Sequence, residues 1–159
     1  MKLVQLRRLL NTLKRDGIVL SKIDAKIGQV DGVLRALDMV FRKMAVTVAG
    51  FNSHEISVIR KIAGEKTVIF SVCNTCVSEK DLKYIFKADL VWASASKIIR
   101  EKVGERAKLQ LGVAIPVYAI SDNGKNIVLE YLKHFNEKIV VFRRSFPYRV
   151  LEREPIVEL

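Results

Sequence analysis

A chain of 159 residues, half of them apolar and 28% charged, has the size of one ordinary domain and enough apolar surface for a single core. Its longest apolar stretches are strand-length, against the roughly 20 residues of a membrane span, and the N-terminus lacks an apolar core followed by a small-residue cleavage site; a soluble, non-secreted protein is expected. With 28 Lys and Arg against 17 Asp and Glu the net charge is +11, but the cations are dispersed, which fits a solvated surface better than a nucleic-acid footprint and leaves acidic small molecules or acidic proteins as partners.

Leu3, Leu6, Leu10 and Leu13 recur at spacings of three and four with basic residues between them, predicting an amphipathic helix over residues 1–16 that Gly17 ends. A short strand at residues 18–23 follows, and Ile27, Val30, Val33, Leu34, Leu37, Val40 and Phe41 restore the helical period. Residues 44–49 are a β-branched run bounded by Gly50. Asn52, three residues ahead of Glu55, resembles a capping box that opens a helix burying Ile56, Ile59 and Ile62 and closed by Gly64.

Residues 67–72 read as the next buried strand; Ser78 and Asp81 mark a helix start, with Leu82, Ile85 and Phe86 on its inner face. Residues 89–93 repeat the strand signal, and Ile98, Ile99 and Val103 continue as a helix that stops at Gly104. Residues 109–111 and 115–120 are two further extended segments separated by Gly112, the second beginning irregularly or at an edge because of Pro116. Ile127, Val128, Tyr131, Leu132 and Phe135 predict the last helix, before an extended segment at 139–142. Strands alternating with helices of this length predict a three-layer α/β fold: a mainly parallel, Rossmann-like sheet with helices on both faces. The expected organisation is one domain over residues 1–142 and a charged C-terminal arm over 143–159, either an edge hairpin or an arm reaching a second subunit. A homo-oligomer would form through that arm or through the N-terminal helix.

Open α/β sheets bind ligands beyond the carboxyl ends of their strands. Four polar turns follow apolar runs: Gly50-Phe51-Asn52-Ser53-His54, Cys73-Asn74-Thr75-Cys76, Ser94-Ala95-Ser96-Lys97 and Ser121-Asp122-Asn123-Gly124. If all four runs are parallel strands, the turns share one edge. The ligand-binding candidates are Asn52, Ser53 and His54, then Asn74 and Thr75, then Ser94, Ser96 and Lys97, and finally Ser121, with Gln110 beside Gly112 as a further lining residue. Ser94, Ser96 and Lys97 make the best anion site, because small residues let an oxyanion approach the free amides of a helix N-terminus while Lys97 adds charge. The competing reading is helix capping by Ser94 or Ser96 with Lys97 in water. No G-x-G-x-x-G or Walker motif occurs, so a standard dinucleotide or P-loop site is not indicated.

Cys73 and Cys76 are the only cysteines, too few for the disulfide framework of a secreted mini-protein and suited to a reducing, cytoplasmic compartment. Two thiols separated by two residues can close a small disulfide or hold one soft metal, with His54 as a third ligand if its turn neighbours theirs; the alternative is a pair of buried structural cysteines. Asp24 and Asp31 flank a helix start, where they could bind a cation or a sugar hydroxyl or cap the helix. His134 has no carboxylate partner nearby in sequence, and no serine sits in a G-x-S-x-G elbow. The residues leave three functions open: a domain binding an anionic metabolite, nucleotide or cofactor, a C-x-x-C redox or metal-dependent enzyme, and a basic assembly partner of an acidic protein.

From Gly17 to about Phe135 the chain resembles the C-terminal part of methanogenesis marker protein 8 and its archaeal relatives. The stretches that carry the resemblance are Gly17-Ile18-Val19-Leu20, Ala25-Lys26-Ile27-Gly28-Gln29-Val30-Asp31-Gly32-Val33 and Ala45-Val46-Thr47-Val48-Ala49, followed by Ala88-Asp89-Leu90-Val91, Ala93-Ser94-Ala95-Ser96-Lys97-Ile98-Ile99-Arg100-Glu101 and Leu109-Gln110-Leu111-Gly112-Val113-Ala114-Ile115-Pro116-Val117. Members of that family commonly carry a further N-terminal region with a Cys-Asp-Gly-type motif, which nothing before Gly17 resembles. The resemblance implies an archaeal protein linked by association to methanogen metabolism, and it brings no mechanism or cofactor with it.

Overall fold

Among the described residues, five strands and four α-helices follow from the two apolar periods. The computed structural model describes residues 28–141, 143, 147 and 148; the helix expected over 1–16, the strand expected at 18–23, Asp24 and most of the C-terminal arm lie outside the described residues. In chain order the elements are α1 (Gln29–Asp38), β1 (Met44–Ala49), α2 (His54–Ala63), β2 (Thr67–Val72), α3 (Glu79–Ile85), β3 (Leu90–Trp92), a π-helical segment (Ile99–Val103), β4 (Leu109–Leu111), β5 (Val117–Ala119) and α4 (Asp122–Leu132). Among the described residues no helix is long and apolar enough to cross a membrane. Residues 139–141 have no regular secondary structure, so the extended segment expected there is not a strand.

The sheet order is β1-β2-β3-β5-β4. β1 pairs with β2 in parallel from Met44 against Thr67 to Ala49 against Val72, and β2 pairs with β3 in parallel, Phe70 against Leu90. These three strands were expected as adjacent parallel neighbours, because a helix joins each to the next, and they are. β5 lies antiparallel between β3 and β4, with Ala119 opposite both Leu90 and Leu109. The sheet is therefore mixed, which corrects the expectation of a mainly parallel one. The reason lies in the β4–β5 connection, residues 112–116, where Gly112 takes φ +76°; a parallel crossover needs about a dozen residues, so this link permits only an antiparallel return.

The pleat divides the core in two. Ile69, Val91 and Tyr118 pack in one cluster with Val33 of α1, Ile56, Ile59 and Ala63 of α2, Ile85 of α3, and Ile99 and Val103. Their neighbours Phe70, Leu90, Trp92, Val117 and Ala119 pack in a second cluster with Val128, Ile127 and Leu132 of α4, as the two-residue period of a strand requires. On α2 the buried stripe is Ile56, Ile59 and Ala63, while Ile62 is exposed. Ala63 lies four positions after Ile59 and so stays on the inner face, whereas Ile62 has rotated off it.

Candidate functional site

Because β5 runs against the others, the carboxyl ends of β1, β2, β3 and β4 all meet one edge of the sheet and the end of β5 meets the opposite edge. The turns after β1, β2 and β3 share the carboxyl edge as expected. Ser121 does not; it follows β5 and lies at the amino ends of the parallel strands, and the loop 112–116 takes its expected place. The supposition that a fourth turn joins the site failed at the direction of one three-residue strand.

The three turns are held against each other by backbone-scale contacts. A Cβ at Gly50 would stand 2.6 Å from Cγ1 of Val77 and 2.7 Å from Oδ1 of Asn74, so only glycine lets the end of β1 lie this close to the cysteine turn. Asn74 is fully buried. Its Nδ2 donates to the carbonyls of Ser71 (3.1 Å) and Trp92 (2.8 Å), its Oδ1 accepts from the Ser71 hydroxyl (3.0 Å), and its backbone N–H donates to Oγ of Ser94 (3.2 Å). Asn74 thus clasps the ends of β2 and β3 with every polar group of its side chain used. Arg100 extends the clasp, donating to the carbonyls of Ser94 (3.0 Å) and Ala114 (2.8 Å).

Two residues at this edge hold left-handed backbone without being glycine. Cys73, the first residue after β2, and Ser94, the second after β3, both have φ +52°. Such conformations cost an L-residue on the order of 1–3 kcal/mol and persist only where surrounding contacts impose them. Here the Asn74 clasp imposes both.

The remaining candidates divide between structural and solvent-facing roles. Ser53 is buried and donates to Oδ1 of Asp81 (3.1 Å), so it joins α2 to α3 and leaves the amino end of α2 without a side-chain cap. Asn52 lies in a 3-10 turn (Gly50–Asn52) ahead of that helix, and the capping box expected from Asn52 and Glu55 does not form. The box expected from Ser78 and Asp81 does: Asp81 accepts from the Ser78 amide and hydroxyl, each at 2.8 Å. Those bonds, foremost the one from the Ser78 amide, hold the Asp81 carboxyl below its ordinary pKa. Ser96 is buried and accepts from the Ile99 amide at 3.4 Å, the capping role that competed with anion binding. Lys97 is 87% exposed, 3.9 Å from Glu101. His54 and Thr75 face solvent.

Cys73 and Cys76 are both free and exposed, which removes the reading of them as buried structural cysteines. Among the described residues no three His, Cys, Asp or Glu side chains gather as a metal site would require, so His54 does not complete a ligand set with the two thiols. Gln110 holds the chain rather than the edge: its amide donates to the carbonyls of Gly112 (2.9 Å) and Tyr148 (3.0 Å) and accepts from the Tyr148 amide (3.0 Å). It also lines a groove of about 530 Å³ between β4, α4 and residues 139–141. Asp31 is exposed in the first turn of α1, and His134 is exposed just beyond α4.

Two features had escaped the sequence reading. Phe51, 80% exposed, stands at the carboxyl edge directly after Gly50; an apolar residue in a polar turn was its only signal. At the opposite edge Asp89 is buried and accepts from Arg60 (2.7 Å), the Ile69 amide (2.8 Å) and the Ser121 hydroxyl (2.5 Å). Arg60 also donates to the carbonyls of Gly64, Thr67 and Lys87. Ser121 in addition accepts from the Gly124 amide as the cap of α4 (2.9 Å), and a Cβ at Gly124 would fall 2.2 Å from the Asp89 carbonyl oxygen. Asp89 and Arg60 are 29 positions apart, and no local pattern links them.

Residues 5–133 match the model of a family described as an uncharacterized protein conserved in archaea, DUF2099. The chain belongs to this family. It is also 37% identical over 138 residues to the uncharacterized protein MJ0054 of Methanocaldococcus jannaschii, an alignment covering 84% of this chain and 47% of the relative. The chain thus spans about half the length of the curated relative it matches. No solved structure matches it.

Proposed function

We propose that this DUF2099 domain binds an anionic metabolite, nucleotide or cofactor over the carboxyl ends of β1, β2 and β3. The observation that carries the reading is the pair of left-handed, non-glycine residues, Cys73 and Ser94, that end two adjacent parallel strands. Backbone strain of this kind is kept where it shapes a site, and here it shapes the edge where open α/β sheets take their ligands. The uncapped amino end of α2 offers amides to an anion. Lys97 adds a cation in the turn after β3, and the exposed ring of Phe51 offers a flat apolar face in the turn after β1, on the same edge. That combination suits a nucleotide-like molecule, with an anionic and a planar part, better than a simple ion.

The wider reading is a cytoplasmic protein with a three-layer, Rossmann-like arrangement, supported by the division of the core into two clusters. A link by association to methanogen-type metabolism belongs to the same proposal; it rests on the resemblance to methanogenesis marker protein 8 and on the relative in Methanocaldococcus jannaschii. The test is a thermal-shift and calorimetric screen of inorganic phosphate, nucleoside phosphates and phosphate-bearing cofactors against the wild type, Phe51→Ala, Lys97→Ala and the distant control Lys133→Ala. Binding by the wild type and the control is expected, with Lys97→Ala weaker by about 1–2 kcal/mol, the scale of a lost charge-assisted hydrogen bond. Phe51→Ala should lose affinity for nucleotides and not for phosphate. Equal affinities across all four proteins would remove the site from this edge.

A further inference from the structure

The two thiols have no part in that ligand reading, and neither packing nor a metal accounts for them: both are exposed and free, and no third ligand gathers beside them among the described residues. Cys76 lies in a short turn and Cys73 immediately before it. The Val77 amide donates to the Asn74 carbonyl at 3.3 Å, closing a turn of the kind that holds its end residues within about 7 Å of each other. Cys73 and Cys76 are the residues immediately before those two ends. The base of the turn is rigid, because Asn74 is buried and bonded to both β2 and β3. Position 73 is left-handed, where glycine would fit at lower cost, yet it carries a thiol.

We propose that Cys73 and Cys76 form a reversible disulfide within this turn by exchange with low-molecular-weight disulfides. One cysteine, as its thiolate, attacks a sulfur of the small disulfide; its S–S bond breaks, a mixed disulfide forms and one small thiolate leaves. The second cysteine, deprotonated in turn, attacks the protein-side sulfur of the mixed disulfide and displaces the second small thiolate. The two protein thiols lose two electrons, the small disulfide gains them, and the two protons end on the two small thiols. The reverse exchange regenerates the dithiol.

The exchange needs no ligand on the sheet edge, so it stands or falls separately from the binding reading. The experiment equilibrates the full chain with glutathione disulfide, quenches with acid and reads the intact mass. The wild type should lose two hydrogens and retain no glutathione, whereas Cys73→Ser and Cys76→Ser should each retain one glutathione that reduced glutathione removes. Peptide mapping should join residues 73 and 76 in one cross-linked peptide. Wild-type protein carrying two glutathiones, carrying none with both thiols still free, or linked to a second copy would each overturn the proposal. The wild-type measurement decides the matter even if a serine variant fails to fold.

Discussion

The two edges of the sheet are built in opposite ways. At the amino edge Asp89, with a 2% exposed side chain, and Arg60, with 18%, share one ion pair that also serves a strand amide, the carbonyls of Gly64, Thr67 and Lys87, and the cap of α4. Each of these groups is bonded, and Asp89 itself is buried. The carboxyl edge has its buried base in Asn74 and carries two left-handed non-glycine residues, against Val40 alone, among the described residues, ahead of β1 at the amino edge, together with exposed thiols and an exposed phenylalanine. One edge is fastened by a buried ion pair and the other presents two exposed thiols over a buried amide, and the contrast teaches that the candidate site is a rigid base under solvent-facing side chains.

The largest effect should come from the fastened edge. Asp89→Ala leaves Arg60 without its carboxylate and the Ile69 amide without its acceptor, and breaking a buried pair on one side costs about 3–5 kcal/mol. Urea denaturation should show that loss as a lower midpoint with an unchanged slope. A loss under about 1 kcal/mol would mean that water enters this edge as freely as the other, and the comparison would fail.

The carboxyl edge should respond with the opposite sign. Cys73→Gly, measured under reducing conditions, removes an exposed side chain and relieves its left-handed backbone, so stability should rise by about 1 kcal/mol. A residue that is selected for stability would not behave this way. Destabilisation instead would show that the side chain of Cys73 packs and that its left-handed backbone stores no strain.

The smallest effect sharpens the comparison within the carboxyl edge. Asp81 joins α2 and α3 through Ser53 and Ser78, and the hydrogen bond from the Ser78 amide, foremost among these, holds its carboxyl below the ordinary carboxylate range. A carboxyl depressed by folding contributes stability above its unfolded pKa and loses it as pH falls through the folded one. Asp81→Ala should therefore cost about 1 kcal/mol near neutral pH, the value of a helix cap, and almost nothing once the pH has fallen below the folded pKa. Parallel denaturation curves at the two pH values check it. A cost that persists in acid would point to lost packing rather than a lost charge.

Much of the fold was legible in the chain because it rests on local rules. The β-branched run at Met44–Ala49, the run at Thr67–Val72 and the helix start at Ser78 and Asp81 are each decided within a few residues, where steric preference and short-range hydrogen bonds dominate. The alternation of strand and helix likewise fixed β1, β2 and β3 as parallel neighbours. Even the antiparallel turn at β4 was within reach, since the five residues from Gly112 to Pro116 are too few for a crossover.

Tertiary structure alone decided which turns meet. The direction of β5 sent Ser121 to the opposite edge from Ser94, and the choice depends on how Val117, Tyr118 and Ala119 pair with β3 and β4 rather than on any residue near Ser121. Asn74 reads in sequence as one more polar turn residue, yet burial between two strand ends makes it the clasp of the site. Asp89 reads as the start of a strand, yet Arg60 reaches it from 29 positions away. Short-range rules select conformations one segment at a time, whereas burial and long-range hydrogen bonding are properties of the assembled sheet, and it is these that separate the edge fastened by Asp89 and Arg60 from the edge that carries the candidate site.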